Sequence, residues 1–117
     1  MVLEKKIFVA SARKDILFVV GKNQQENFDI IDASGGNDIW FHIDGFPSGH
    51  VVARIDDMKI DKKQKRDIIK QGAVLCKQHS KFKSDHNVKI VYTTIKNVEK
   101  TAVTGRVNVM NATGVII

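Results

Sequence analysis

Asp38-Ile39-Trp40-Phe41-His42-Ile43-Asp44-Gly45-Phe46-Pro47-Ser48-Gly49-His50-Val51-Val52-Ala53-Arg54 decides the fold of this 117-residue chain. The stretch holds the single Trp, the single Pro and two of the four His. Its two arms alternate in character, and Gly-Phe-Pro-Ser-Gly lies between them, which is the pattern of a β-hairpin with a longer loop. Side chains alternate faces along a strand. Ile39, Phe41 and Ile43 therefore share one face with the apolar side of the second arm, Val51, Ala53 and Ile55. Trp40 and His42 share the other face with His50, Val52 and Arg54.

Residues directly opposite each other lie on one face, so the register decides which polar groups meet. Trp40 opposite Arg54 leaves Gly45 to Gly49 as the loop, sets Asp44 opposite His50 and uses both glycines in the turn. That register is preferred. The alternative sets His42 opposite His50 and Asp38 opposite Arg54. Either gathers Trp40, His42, His50 and Arg54 on one wall, which is expected to open to solvent.

Upstream, Leu3 to Ala10 reads as a strand and Ile16 to Val20 as a second one, continuously apolar and so covered on both faces. The two are expected to pair as an antiparallel hairpin. Asn23 with Glu26 three residues on predicts a capped short helix over about 24–33. Downstream, Asp61 caps a long helix over about 61–80. Its apolar side carries Ile68, Ile69, Ala73, Leu75 and Cys76, with Gly72 as a close-packing point against the sheet. Its far side carries Lys63, Arg66, Lys70 and Lys77, a basic stripe roughly 20 Å long at the helical rise. After a loop, Val88 to Thr93 alternates as a strand, Thr94 to Lys100 reads as a turn, and Ala102 to Val109 and Val115 to Ile117 read as short strands. The class is α+β: a mostly antiparallel sheet of about six or seven strands, the long helix packed on it, and the short helix near 24–33. One domain over 1–117 is expected from the length.

The formal net charge is +6. Residues 59–100 contain twelve Lys/Arg and four Asp/Glu, a balance of +8, and the remainder balances at −2. Segregated positive charge points to a polyanion partner. The single cysteine excludes an internal disulfide and fits a reducing compartment. With no signal-peptide pattern and no membrane-length apolar run, the cytoplasm is the expected location. The histidines lack a zinc-ligand spacing, and no cofactor fingerprint is present, so neither metal nor cofactor is expected. Cys76 on the apolar helix face reads as an inert buried thiol.

Nucleic acid fits these features best. Trp40 on an open face offers a stacking surface, with His42, His50 and Arg54 near phosphate or base edges. The helix stripe with Lys81, Lys83, Lys96 and Lys100 would track the backbone. Two other classes stay in view: an RNA-acting enzyme using His42 and His50 as acid and base, and a protein-interaction domain using the hairpin and a sheet edge.

Several motifs together resemble the NFACT-R domain. They are Gly21-Lys22-Asn23 with Glu26-Asn27, Asp38-Ile39-Trp40-Phe41-His42, and Pro47-Ser48-Gly49-His50-Val51-Val52 with Arg54. Ser80-Lys81, Val91-Tyr92-Thr93 and Lys96-Asn97-Val98-Glu99-Lys100 follow in order, so the likeness runs from about Ile16 to Lys100. Ala102 to Arg106 matches only loosely. In larger NFACT proteins of ribosome quality control, this domain accompanies an N-terminal NFACT domain, helix-hairpin-helix elements and a coiled coil. Those proteins bind the large ribosomal subunit and tRNA and support template-free tailing; bacterial relatives were also labelled fibronectin-binding. Stand-alone NFACT-R proteins are regarded as nucleic-acid-binding, with RNA the favoured partner. The resemblance implies a non-catalytic RNA-binding module, with tRNA or ribosomal RNA as partner, DNA as a second one, and the ribosome or companion NFACT-type proteins nearby. It implies that Trp40, His42, His50 and Arg54 form the characteristic surface. The companion domains are not in these residues, so tailing by this chain alone is not implied.

Overall fold

The computed structural model describes residues 2–117. Its elements are β1 (Leu3–Val9), β2 (Lys14–Val20), α1 (Gln24–Asp32), β3 (Ile39–Ile43), β4 (Val51–Ala53), α2 (Lys62–Gln78), β5 (Lys89–Thr94), β6 (Val98–Lys100), β7 (Val107–Val109) and β8 (Thr113–Ile116). Six strands form one antiparallel sheet in the order β1-β2-β4-β3-β5-β8, and β6 and β7 form a separate hairpin. The α+β class and the antiparallel pairing of the first two strands are as the sequence indicates.

Both helices start where their caps predict. The Asn23 side chain accepts from the Glu26 N–H at 2.9 Å. Asp61 and Gln64 complete a reciprocal capping box at 2.8 and 3.0 Å, satisfying two backbone donors at the start of α2. α2 lies across one face of the sheet and packs Ile68, Ala73, Leu75 and Cys76 on Ile16, Phe18, Ile39, Phe41, Val51 and Ile90. Gly72 sits on the Phe41 ring, which occupies the space a Cβ would need. The apolar run in β2 divides as expected for a doubly covered strand. Ile16, Phe18 and Val20 face α2, and Leu17 and Val19 face the other layer.

That other layer corrects the expected open wall. α1 supplies Ile30 and Ile31, and the β6–β7 hairpin supplies Val98, Val107 and Val109; together they close over Val19, Trp40, Val52 and Val91. Thr94 to Lys100 is therefore more than a turn. A 3-10 turn over Ile95–Asn97 leads into β6, whose three residues pair with β7. In the span Ala102 to Val109, only Val107–Val109 is strand. Residues before it form the hairpin loop: the Thr101 N–H donates to the Arg106 carbonyl, and Gly105 adopts φ +85° against α1. Only glycine takes that conformation without a Cβ penalty.

The register of the central hairpin is also the alternative one. Trp40 pairs with Val52 and Phe41 with Val51. Extending this pairing places His42 across from His50 and Asp38 across from Arg54. The preferred register assumed both glycines in the turn, but only Gly45 serves there, at φ +75°. Gly49 lies against the Gly21 carbonyl, leaving no room for a side chain. The neighbouring Gly21 N–H donates to the His50 carbonyl at 2.9 Å, locking the end of β2 to the start of β4.

Candidate nucleic-acid interface

Trp40, His42 and His50 form a compact ring cluster. The Trp40 and His42 rings stack at 5.6 Å with planes 4° apart. His50 stands edge-on to both, 5.3 Å from Trp40 and 5.1 Å from His42. Trp40 and His50 are each only 2% exposed, so the indole offers no open stacking face to solvent. Its ring instead lies beneath the β6–β7 hairpin, in the second core.

Burial also sets the charge state of the cluster. His50 is pushed down to about 3, first by loss of hydration and then by the neighbouring His42. His42 is lowered by burial, opposed by the Ile43 carbonyl and the Asp44 carboxylate. The His42 Nδ1 lies 2.6 Å from the Ile43 carbonyl oxygen, an acceptor, so Nδ1 carries the proton and Nε2 keeps its lone pair. Trp40 Nε1 and His50 Nδ1 are buried without a hydrogen-bond partner among the described residues. Leaving a buried polar group unpaired costs about 1–3 kcal/mol.

A cleft of about 510 Å³ opens over this cluster. Phe46, Pro47 and Ser48 form one wall, the Thr104–Val107 hairpin the other, and Gln24, Asn27 and Arg106 stand among the lining side chains. Arg54 lies away from it. Its Nε is 3.2 Å from Asp38 Oδ2, so its guanidinium is tied into the fold rather than free at the cleft.

The basic stripe lies on the opposite side of the sheet from the ring cluster, so the two do not make one wall. Arg66 and Lys70 line a groove of about 670 Å³ between α2 and β8, joined by Lys62 and Lys65 and floored by Ile69, Tyr92, Val115 and Ile117. Among the described residues, none of these four cations has a carboxylate within ion-pair distance. Lys63 pairs with Asp67 at 3.7 Å, and Lys77 donates to the Ile117 carbonyl at 3.2 Å. Lys100 binds Asp32 and lies over the Phe28 ring. Lys83 and Lys96 are exposed in loop and 3-10 turn.

Lys81 lies beside the loop that walls the cleft. Its ammonium sits 5.9 Å from the Phe46 ring centroid and 5.4 Å from that of Phe82, and the two rings meet edge-on at 5.0 Å. Phe46 is 52% exposed, in contrast to Trp40. Sequence reasoning passed over Phe46 and Arg106. The available signal for Phe46 was an aromatic in a Gly/Pro/Ser loop, where no strand face offers it a core. Cys76 is buried, and burial pushes its thiol up to about 12, so it is an inert packing group. Among the described residues no group of three His, Cys, Asp or Glu is placed to hold a metal ion. Among them, too, no helix is long and apolar enough to cross a membrane.

An antiparallel sheet carrying a cationic helix on one face and a ring-lined cleft on the other defines an α+β domain with two distinct candidate surfaces. The chain belongs to the NFACT-R family, for the profile described as NFACT protein RNA binding domain matches residues 5–113. It is 34% identical over 84 residues to coiled-coil domain-containing protein 25 of Mus musculus, which covers 71% of this chain and 40% of that protein. The Danio rerio protein of the same name is 38% identical over 89 residues, 71% of this chain and 41% of its own length. The chain thus spans well under half of these relatives. The C-terminal structure of the fibronectin/fibrinogen-binding protein from Streptococcus suis superposes with a TM-score of 0.80. It covers 97% of this chain and 44% of that one at 20% identity, and it shows the fold.

Proposed function

We propose that the protein is a non-catalytic module that binds tRNA or ribosomal RNA and serves translation, in contact with the ribosome or with NFACT-type partners. One observation carries the electrostatic part: Lys62, Lys65, Arg66 and Lys70 line one groove, and among the described residues none has a carboxylate within ion-pair distance. Cations gathered along one groove release counterions when they meet phosphates, and that release supplies most non-specific affinity. The family supplies RNA as the polyanion. Lys81 beside the exposed Phe46 and half-buried Phe82 adds a place where a base stacks next to a phosphate contact. A buried, unpaired Cys76 suits the reducing cytoplasm.

The acid–base reading of His42 and His50 gains no support, because burial pushes His50 down to about 3 and leaves it without its acid form, the imidazolium, at neutral pH. Titration of tRNA and of a ribosomal RNA fragment at several salt concentrations tests the proposal. Binding should weaken steeply with salt, and Arg66→Glu with Lys70→Glu should flatten the log–log slope by about 0.7 per lost phosphate contact. Equal, salt-insensitive affinity in the wild type and the double variant overturns it.

A further inference from the structure

The cleft over the ring cluster holds chemistry that phosphate tracking by α2 does not use. Trp40 and His50 both line it, both are almost wholly buried, and among the described residues each keeps a ring nitrogen without a partner. Folded proteins rarely leave such groups unpaired, and the exceptions ask for a bound partner or a function. The cluster presents an indole N–H, a donor only, beside two uncharged imidazoles. With the His42 Nδ1 proton given to the Ile43 carbonyl, its Nε2 is an acceptor.

An uncharged set of donor and acceptor nitrogens suits the edge of a neutral heterocycle better than an anion. The rim differs. Arg106 lines the cleft, is exposed, and has no carboxylate within ion-pair distance among the described residues. The cavity of about 510 Å³ falls within the range of roughly 300–1,000 Å³ typical of small-ligand sites. A neutral polar floor beneath a cationic rim matches one nucleotide: a base inside, its phosphate outside. Phe46 lines the same cleft and meets Lys81, which gives the strand a route away from it.

We propose that this cleft takes up one unpaired nucleobase of a bound RNA, hydrogen-bonded at its edge by the Trp40–His42–His50 cluster with its phosphate on Arg106. This rests on the RNA-binding reading and adds base recognition to it. The base does not stack on Trp40, whose face is already covered by His42. The two unpaired nitrogens are covered in the present conformation, so entry parts the walls formed by the Phe46–Ser48 loop and the Thr104–Arg106 turn.

The single Trp makes the test direct, because its indole N–H gives one cross-peak in a ¹⁵N-labelled sample. The full chain is titrated with each nucleoside 5′-monophosphate, with inorganic phosphate, and with a short RNA. At least one mononucleotide should move the indole cross-peak saturably while phosphate alone leaves it in place. Arg106→Gln, an exposed change that should not disturb folding, should weaken that binding by about tenfold, the value of one charge-assisted hydrogen bond. An indole signal unmoved by all four mononucleotides overturns the assignment, as does an equal shift with phosphate alone. Salt-dependent RNA binding in the same sample would then show the broader reading standing without it.

Discussion

The Asp38 carboxylate meets the Arg54 guanidinium at 3.2 Å across the two central strands, and it does so with its other oxygen already committed. Asp38 Oδ1 accepts from the Ile55 and Asp56 N–H groups at 2.7 and 2.8 Å, and Oδ2 accepts from the Gly35 N–H at 2.9 Å. One buried carboxylate therefore holds the entry to β3, the exit from β4 and an arginine. This pair exists only in the observed register. Trp40 opposite Arg54 would separate it and strand a charge at 1% exposure.

Asp38→Ala should accordingly destabilise the protein by about 3 kcal/mol, the low end for breaking a buried pair, because 34% of the Arg54 side chain remains in water. Three backbone donors lose their acceptor as well. Arg54→Ala should cost less, since the carboxylate keeps those donors. Urea denaturation of the two variants checks the order, and a larger loss for Arg54→Ala would show that the guanidinium dominates.

Gly72→Ala reverses the usual sign of a helix substitution. Alanine gains about 1 kcal/mol of helix propensity over glycine. Here its methyl would enter the Phe41 ring, which is fully buried beneath α2. Overpacking a tight core costs about 1–3 kcal/mol, so the variant should be less stable than the wild type. Phe41→Leu should cost less in the Gly72→Ala background than alone, because each change relieves the other. Additive costs in a double-mutant cycle would mean that the two sites do not touch.

His50 gives the protein a specific pH dependence. Its ordinary value of 6.5 falls to about 3 on folding, so between those values the unfolded chain binds more protons than the folded one. Stability therefore rises with pH across that window, is fully present above 6.5, and drains away as pH falls toward 3. Carboxylates add their own loss at the acid end, so the comparison must be with His50→Gln. That variant should lose stability less steeply between pH 6.5 and 5, above the range where most carboxylates titrate. Parallel denaturation curves for the two proteins across that interval would place the imidazole proton elsewhere.

Short-range signals predicted the frame and longer-range contacts settled the rest. Alternation in Ile39–Ile43, the doubly apolar Ile16–Val20, the Asp61 cap and the misfit of Gly72 in a helix each record a contact within or directly beside one element. They gave the sheet, α2 and the face it covers. What hides Trp40 is different: Val98, Val107 and Val109 arrive from strands of three residues, too short to show a period, far along the chain. The run in β2 did carry a hint, since a strand apolar on both sides needs a second layer. Register failed on Gly49, because a glycine required for close approach to Gly21 looks the same as one required for a turn.

The displaced aromatic role leads to the last expectation. Trp40 is sealed, whereas Phe46 is 52% exposed with Lys81 5.9 Å from its centroid. Phe46 gives the fold an edge-on contact with Phe82 and little else, so Phe46→Ala should cost no more than about 1.5 kcal/mol of stability. If a base stacks there, the same change should weaken RNA binding by about 1–3 kcal/mol, whatever the sequence of the strand. Lys81→Ala should reduce affinity and also the salt slope, because it removes a phosphate contact; Phe46→Ala should reduce affinity and leave the slope alone. The two variants thus separate stacking from charge on neighbouring residues. Should Phe46→Ala bind RNA like the wild type while Lys81→Ala does not, the loop contributes electrostatics only and bases are held elsewhere.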